Sequence, residues 1–410
     1  MYKRQAYDNQ EAWESTIADA TGRINVTITD ISYVFYYLDQ DTYVLYENND
    51  VTNDSYLGGL YYQGTFTYTY QGRRVGIIET GTISSILSAL TNGNFFMDYI
   101  DVDYDNSTFS SSMASLELSD CSKIVYAGLY WAGIYPYETW ENQETSSSDF
   151  NTIKFKLPGQ NYLDITADEI IYNNGAVNQK PYVCFKDVTD MVTGLGDATN
   201  GDYYVANIKA TTGYHGSLGS SAGWNLVVIY EDSTETTKSI SVFDGFSTID
   251  PGVGDTEITF SGFKTIPTGS VKAQLLTATL EGDNYFVGDR FQVGSINGAY
   301  VDISTPNLNP ADNFFNGSIT RYDEHVINRF PASEDNLGYD VDLFELENLN
   351  NTIITNNQTS MNVRFTTDGD VYWPFLNAIS VEVNQPEIQL VKTVDAVSYT
   401  HLTLPTTSRV

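Results

Sequence analysis

The run Trp224–Tyr230, WNLVVIY, is apolar except for Asn225 and rich in β-branched and aromatic side chains. It has the length of a strand and is too short for a typical helix, so it reads as a strand covered on both faces. A polar, Thr-rich connection follows from Glu231 to Lys238, and Ser239–Phe243 then alternates polar with apolar as a half-covered strand does. Taken together, the two runs predict a hairpin whose first strand lies in the middle of a sheet.

The same grammar continues along the chain. Ile153–Leu157 alternates and stops at Pro158-Gly159, and Tyr182–Phe185, Tyr203–Ala210, Glu257–Phe263, Val271–Leu280, Val341–Leu346, Ser360–Phe365 and Ile379–Val383 are further strand-length runs between turn residues. Lys123–Gly133, KIVYAGLYWAG, is another, and its glycines imply a bulge or a close backbone approach. Ile83, Ile86, Leu87 and Leu90 recur at helical spacing before an Asn92-Gly93 stop, and Asp187–Val192 suits one helical turn. Many short strands with little helix predict an all-β protein, a large jelly-roll-like β-sandwich with one or two short helices. With 31 Tyr and 20 Phe, the chain is too aromatic for disorder.

A net charge of −33 repels phosphate backbones and anionic headgroups, which argues against nucleic-acid and membrane-surface roles. No apolar run is long enough for a membrane helix. The charge suits divalent cations and an extracellular setting. The two cysteines, Cys121 and Cys184, allow one disulfide in an oxidising compartment, or else stand as two unpaired buried thiols.

Four groups of residues have the chemistry of a site. Asp101, Asp103 and Asp105 recur at every second position, which on a strand places them on one face about 6–7 Å apart, a spacing that suits Ca²⁺ or else an ordinary solvated acidic loop. Glu281, Asp283 and Asp289 can supply the two carboxyls of glycoside chemistry, although Asp and Gly at such places more often make turns. His215 lies in a Gly/Ser loop without a nucleophile elbow, and with His325 and the cysteines it has no zinc-ligand spacing. Among the tryptophans, Trp131, Trp224 and Trp373 suit a core or a sugar platform, and Trp140, in a polar loop, is the best candidate for an exposed ligand-binding aromatic.

The segments Lys123–Gly133, Pro181–Val192, Ser221–Asp232, Ser241–Phe246 and Ile258–Asp283 together resemble a β-rich module of very large exported bacterial surface proteins, over roughly residues 80–395. Pro386–Asp395, PEIQLVKTVD, is similar to the first strand of the Ig-like repeats that follow that module, of the domain-of-unknown-function-eleven type. Met1–Gln5 and Val397–Thr407 resemble translated sequencing-adapter ends. The expected division is therefore 1–5 and 397–410 as adapter sequence, 6–80 as a strand-rich segment of open assignment, 81–385 as the main module and 386–396 as the start of a repeat. The resemblance implies a non-enzymatic structural or adhesive part of a cell-surface protein, with a glycan or a surface protein as ligand. No catalytic residue carries over from it. A lectin-like, Ca²⁺-dependent domain and a polysaccharide-acting enzyme are the alternatives.

Overall fold

The computed structural model describes residues 92–94, 96–136, 149–173, 180–214, 219–284, 286–295 and 297–383, together with the backbone course of strands between residues 4 and 82. Those early strands, β1 (Arg4–Gln5) through β7 (Arg73–Thr82), form a sheet of three and a sheet of four among themselves. The predicted helix at Ile83–Leu90, Trp140, His215 and Pro386–Asp395 lie outside the described residues. Among the described residues no helix is long and apolar enough to cross a membrane.

The rest is an all-β sandwich fold: nineteen strands lie in four sheets, and two short ones, β8 (Phe96–Met97) and β16 (Gly213–Tyr214), pair with each other. The first sheet has the order β12 (Leu163–Thr166), β11 (Thr152–Lys156), β15 (Gly201–Ala206), β9 (Ser111–Leu116), β25 (Arg329–Phe330). The second runs β13 (Glu169–Asn173), β14 (Pro181–Asp187), β10 (Ser122–Ile134), β17 (Ala222–Asp232). The third runs β18 (Lys238–Asp244), β28 (Trp373–Glu382), β20 (Ala273–Leu280), β26 (Tyr339–Glu345), β23 (Ile319–Arg321), β24 (Glu324–His325). The fourth runs β19 (Thr256–Ser261), β27 (Ser360–Thr367), β21 (Asp289–Gly294), β22 (Tyr300–Asp302). Among the described strands pairing is antiparallel except between β23 and β26. A short helix, α1 (Thr189–Thr193), follows β14 where a single turn was expected.

Three apolar layers join the sheets into one four-layer stack. Leu129, Trp131, Phe155, Cys184 and Tyr203 fill the space between the first and second sheets. Tyr130, Ala132, Ala278, Leu280, Trp373 and Leu376 fill the next. Leu275, Phe291, Phe344, Phe365 and Ile379 fill the third. Alternate residues of β10 therefore enter two different cores, and Ala127–Ile134 are buried without a break. The glycines of β10 mark close approaches, as expected: a Cβ on Gly133 would come within 2.8 Å of the Ala222 Cβ. A bulge interrupts the β10–β17 register between Ile124 and Tyr126.

Two expectations need correcting here. β17 and β18 do not form a hairpin: β17 pairs with β10 in the second sheet and β18 with β28 in the third, so Ser233–Thr237 crosses from one sandwich to the other. β17 is also an edge strand, only partly buried, and the centre of its sheet is β10 with β14. An apolar run reports that both faces are covered; it carries no information about hydrogen-bonding neighbours at either side. Trp224 and Leu226 pack on one core and Val227 on another, which explains the run without a central position.

The cysteines are not bridged: Cys121 is exposed and Cys184 buried. Cys184 sits opposite Trp131, and Cys121 immediately precedes the far end of the same β10 strand. Ten extended residues separate those levels, about 33 Å at strand rise, whereas a disulfide needs Cα atoms within about 7 Å. Burial pushes the Cys184 thiol up to about 12. A thiol reagent added to native protein is expected to label Cys121 alone, with Cys184 reacting only after unfolding; mass spectrometry of the alkylated chain reads this directly.

Candidate functional site

Asp101 makes an isolated bridge to Ser111, the chain bends at Val102 and Asp103, and Tyr104 takes a φ of 53°, so the expected one-face ladder of carboxylates does not form. Ser111 Oγ lies 2.8 Å from an oxygen of both Asp101 and Asp103. Asp103 also accepts from the Tyr162 hydroxyl at 2.7 Å, with the Lys156 ammonium 4.0 Å away. Bonds from Tyr162, Ser111 and the Asp105 amide outweigh partial burial and hold its carboxyl below the usual range. Asp105 turns aside to accept from the Ser107 amide at 2.8 Å. Thus Asp101 and Asp103 meet at a serine, and Asp105 does not join them. Among the described residues no three His, Cys, Asp or Glu side chains form a group able to hold a metal ion.

Glu281, Asp283 and Asp289, by contrast, lie in a common buried region that also contains Asp340, Asp342 and Asp370. Strand parity explains how they arrive there. On β20, Ala273 and Leu275 face the apolar core between the third and fourth sheets, so Thr277 and Thr279 face the same space farther along. On β26, Phe344 faces that core, and so do Asp342 and Asp340; on β21, Phe291 and Val293 do, and so does Asp289. The interior of this sandwich is therefore apolar at one end and acidic at the other. Relative exposures are 1% for Glu281, 4% for Asp283, 5% for Asp370 and 0% for Asp289, Asp340 and Asp342.

The bonds that hold these carboxyls come mostly from neutral donors. Asn92 Nδ2 donates to Glu281 at 2.8 Å, and the Asn92 amide bonds Asp283. The Phe315 amide donates to Asp289 at 2.6 Å, and the Val371 amide to Asp370 at 2.7 Å. Ser318 N donates to Asp340 at 3.2 Å, while Asn309 Nδ2 at 2.9 Å and the Thr320 hydroxyl donate to Asp342. Among the described residues none of the six enters an ion pair. Gly282 permits the tight closure of this region, since a Cβ there would meet the Phe315 carbonyl oxygen at 2.6 Å.

Burial without a counter-charge favours the protonated acids. Desolvation lifts Asp283 to about 6, Asp289 to about 7 and Asp370 to about 9. Desolvation, with neighbouring Asp283 and Asp370 charges adding to it, raises Glu281 well above its ordinary value. Asp340 is raised in the same way, first by burial and then by the adjacent Asp342.

The tryptophans divide clearly. Trp131 and Trp373 are fully buried, and Trp224 is half-buried with its indole N–H on Ser112 Oγ at 2.8 Å. Trp224 also lines an open groove of 440 Å³ beside β9 and β17, with Tyr99, Met113, Asn225, Phe330 and Asn336. His325 is partly buried on the edge strand β24, where it stands opposite Thr320, and Thr320 in turn stands opposite Asp342; the His325 Nδ1 has no hydrogen-bond partner. Asp340, Asp342 and Asp370 were not anticipated from sequence: an alternating Tyr-Asp-Val-Asp-Leu-Phe run reads as a strand with one wet face.

No protein-family model matches the chain, and no curated protein does. Among solved structures, a chain of the infectious bursal disease virus Gt strain is similar over 93% of this chain and 72% of its own, at 11% identity and a TM-score of 0.20. The infectious bursal disease virus VP2 subviral particle is similar over the same shares at 10% identity and TM-score 0.20. PNGF-II is similar over 92% of this chain and 85% of its own, at 12% identity and TM-score 0.23. Likenesses at these TM-scores carry no argument about function.

Proposed function

We propose that this chain is a non-enzymatic structural or adhesive module of an exported bacterial surface protein. The observation that supports this reading most is the enclosure of its acids. Glycoside chemistry needs two carboxyls that a sugar and a water can reach, and here Glu281, Asp283 and Asp289 are each less than 5% exposed. They behave as interior polar groups of a scaffold. The net charge of −33 suits a soluble surface in a salty, cation-rich medium. Incubation of the chain with a panel of polysaccharides and glycoproteins is expected to release no reducing ends. Release that disappears in Asp283→Asn or Glu281→Gln would overturn the reading.

The groove favours carbohydrate binding as the second reading. Tyr99, Trp224 and Phe330 offer apolar faces beside Asn225 and Asn336 amides, in a volume within the usual ligand-site range of about 300–1,000 Å³. Phe330 is 51% exposed and can be truncated with little disturbance of the core. On a glycan array, binding lost in Phe330→Ala would favour this reading over a purely structural role.

A further inference from the structure

Five buried oxygen atoms on the third sheet receive no hydrogen bond from any N–H or alcohol donor: Thr277 Oγ1, Thr279 Oγ1, Asp340 Oδ1, Asp342 Oδ2 and Asn377 Oδ1, the two carboxyls being hydrogen-bonded only to each other on this side. They are neighbours by register. Thr277 stands opposite Asp342 on one side and Asn377 on the other, and Thr279 stands opposite Asp340. Directly opposed residues place their Cβ atoms about 4.5–5.5 Å apart. All five belong to the face that looks toward the fourth sheet, because Leu275, Phe344 and Ile379, at matching parity, sit in that core. Exposure of these residues is 0% for both threonines and both aspartates and 3% for Asn377.

We propose that this patch is a calcium site, with Asp340 and Asp342 as the charged ligands and Thr277, Thr279 and Asn377 supplying neutral oxygens. The donor set is oxygen only, which suits a hard cation and excludes soft metals. Two carboxylates balance one divalent charge, whereas water would satisfy the hydroxyls and the amide but leave Asp340 and Asp342 to hold a proton between them in the interior. The remaining oxygens of Asp340 and Asp342 are already fixed by Ser318, Thr320 and Asn309, so the ligand geometry is held from behind. Three neutral ligands and two acids are a different arrangement from a cluster of three acids, and the patch is separate from the Asp101–Asp105 bends.

The experiment uses the whole chain, because a buried site is best loaded during folding. Protein unfolded in urea with EDTA is refolded with CaCl₂, with MgCl₂, or without metal, all in 0.5 M NaCl to suppress binding by surface carboxylates. Metal content is measured after gel filtration. The expected result is one calcium retained per chain, no comparable retention of magnesium, and a melting temperature several degrees higher with calcium. Asp342→Asn is expected to abolish retention, and Thr277→Val, which keeps both acids, to weaken it about tenfold. Asp101→Asn with Asp103→Asn is expected to leave it unchanged. If Asp342→Asn fails to fold, Thr277→Val decides. The proposal is overturned if wild-type chain retains no calcium, or if Thr277→Val retains it as tightly as wild type.

Discussion

Unfolding in metal-free buffer is expected to cost several kcal/mol less at pH 8 than at pH 5. In the unfolded chain Asp283, Asp289 and Asp370 release their protons near pH 4. In the folded chain the same protons are held up to about 6, 7 and 9. Over that window the folded state binds more protons than the unfolded state, so stability falls as pH rises, by roughly 1.4 kcal/mol per pH unit for each proton in difference. A difference on the order of two protons between pH 5 and pH 8 gives the expected size. Below pH 4 the slope reverses. Asp232, drawn down to about 2 chiefly by its bonds to Thr234 and Ser119, and Asp103, held below its usual range by Tyr162 and Ser111, lose their bonds on protonation. Stability should therefore peak near pH 4–5. Repulsion among the chain's surplus negative charges acts in the same direction above the peak, but salt screens it and does not screen the buried groups. Urea titrations at several pH values in 0.5 M NaCl separate the two contributions.

Trp131→Ala is expected to destabilise the protein by about 3–5 kcal/mol, the usual cost of emptying an aromatic site in a packed core. Trp131 is fully buried on the central strand β10, between Cys184 on β14 and Trp224 on β17, and its indole N–H donates to the Phe150 carbonyl at 3.0 Å. The substitution leaves a cavity between the first two sheets and an unsatisfied carbonyl beside it. Val125→Ala on the same strand is the control: Val125 is 43% exposed at the bulge, and a change within about 0.5 kcal/mol is expected. Chemical denaturation of the two variants beside wild type gives both values.

Strand periodicity was readable because it depends on local alternation. The runs at Ile153–Leu157, Val271–Leu280, Val341–Leu346 and Ser360–Phe365 coincide closely with β11, β20, β26 and β27. Sheet order was not readable, since the neighbours of a strand are set by crossovers such as Ser233–Thr237 and by the late return of Arg329–Phe330 to β9, far away in sequence. The acidic region was half readable. Glu281, Asp283 and Asp289 stand out beside glycines at strand ends. Asp340 and Asp342 alternate with Val341 and Leu343, a pattern that signals one wet and one dry face only where a sheet is covered on one side. In a four-layer stack the third sheet is covered on both, and the face that looks solvated becomes interior. The Asp101, Asp103, Asp105 spacing misled for the opposite reason: the pattern is periodic, but the backbone there bends instead of extending.

The enclosure of the acids is most directly tested by replacing one of them with its neutral isostere. Asp370 is 5% exposed, and one of its oxygens, Oδ2, has no partner. Urea unfolding of Asp370→Asn and wild type at pH 5 and pH 8 should show a variant at least as stable as wild type at pH 8, with a visibly shallower loss between the two pH values. A variant markedly less stable at pH 8, with the wild-type slope intact, would mean that Asp370 is ionised and satisfied in the native protein and would contradict the account of a closed, proton-holding interior.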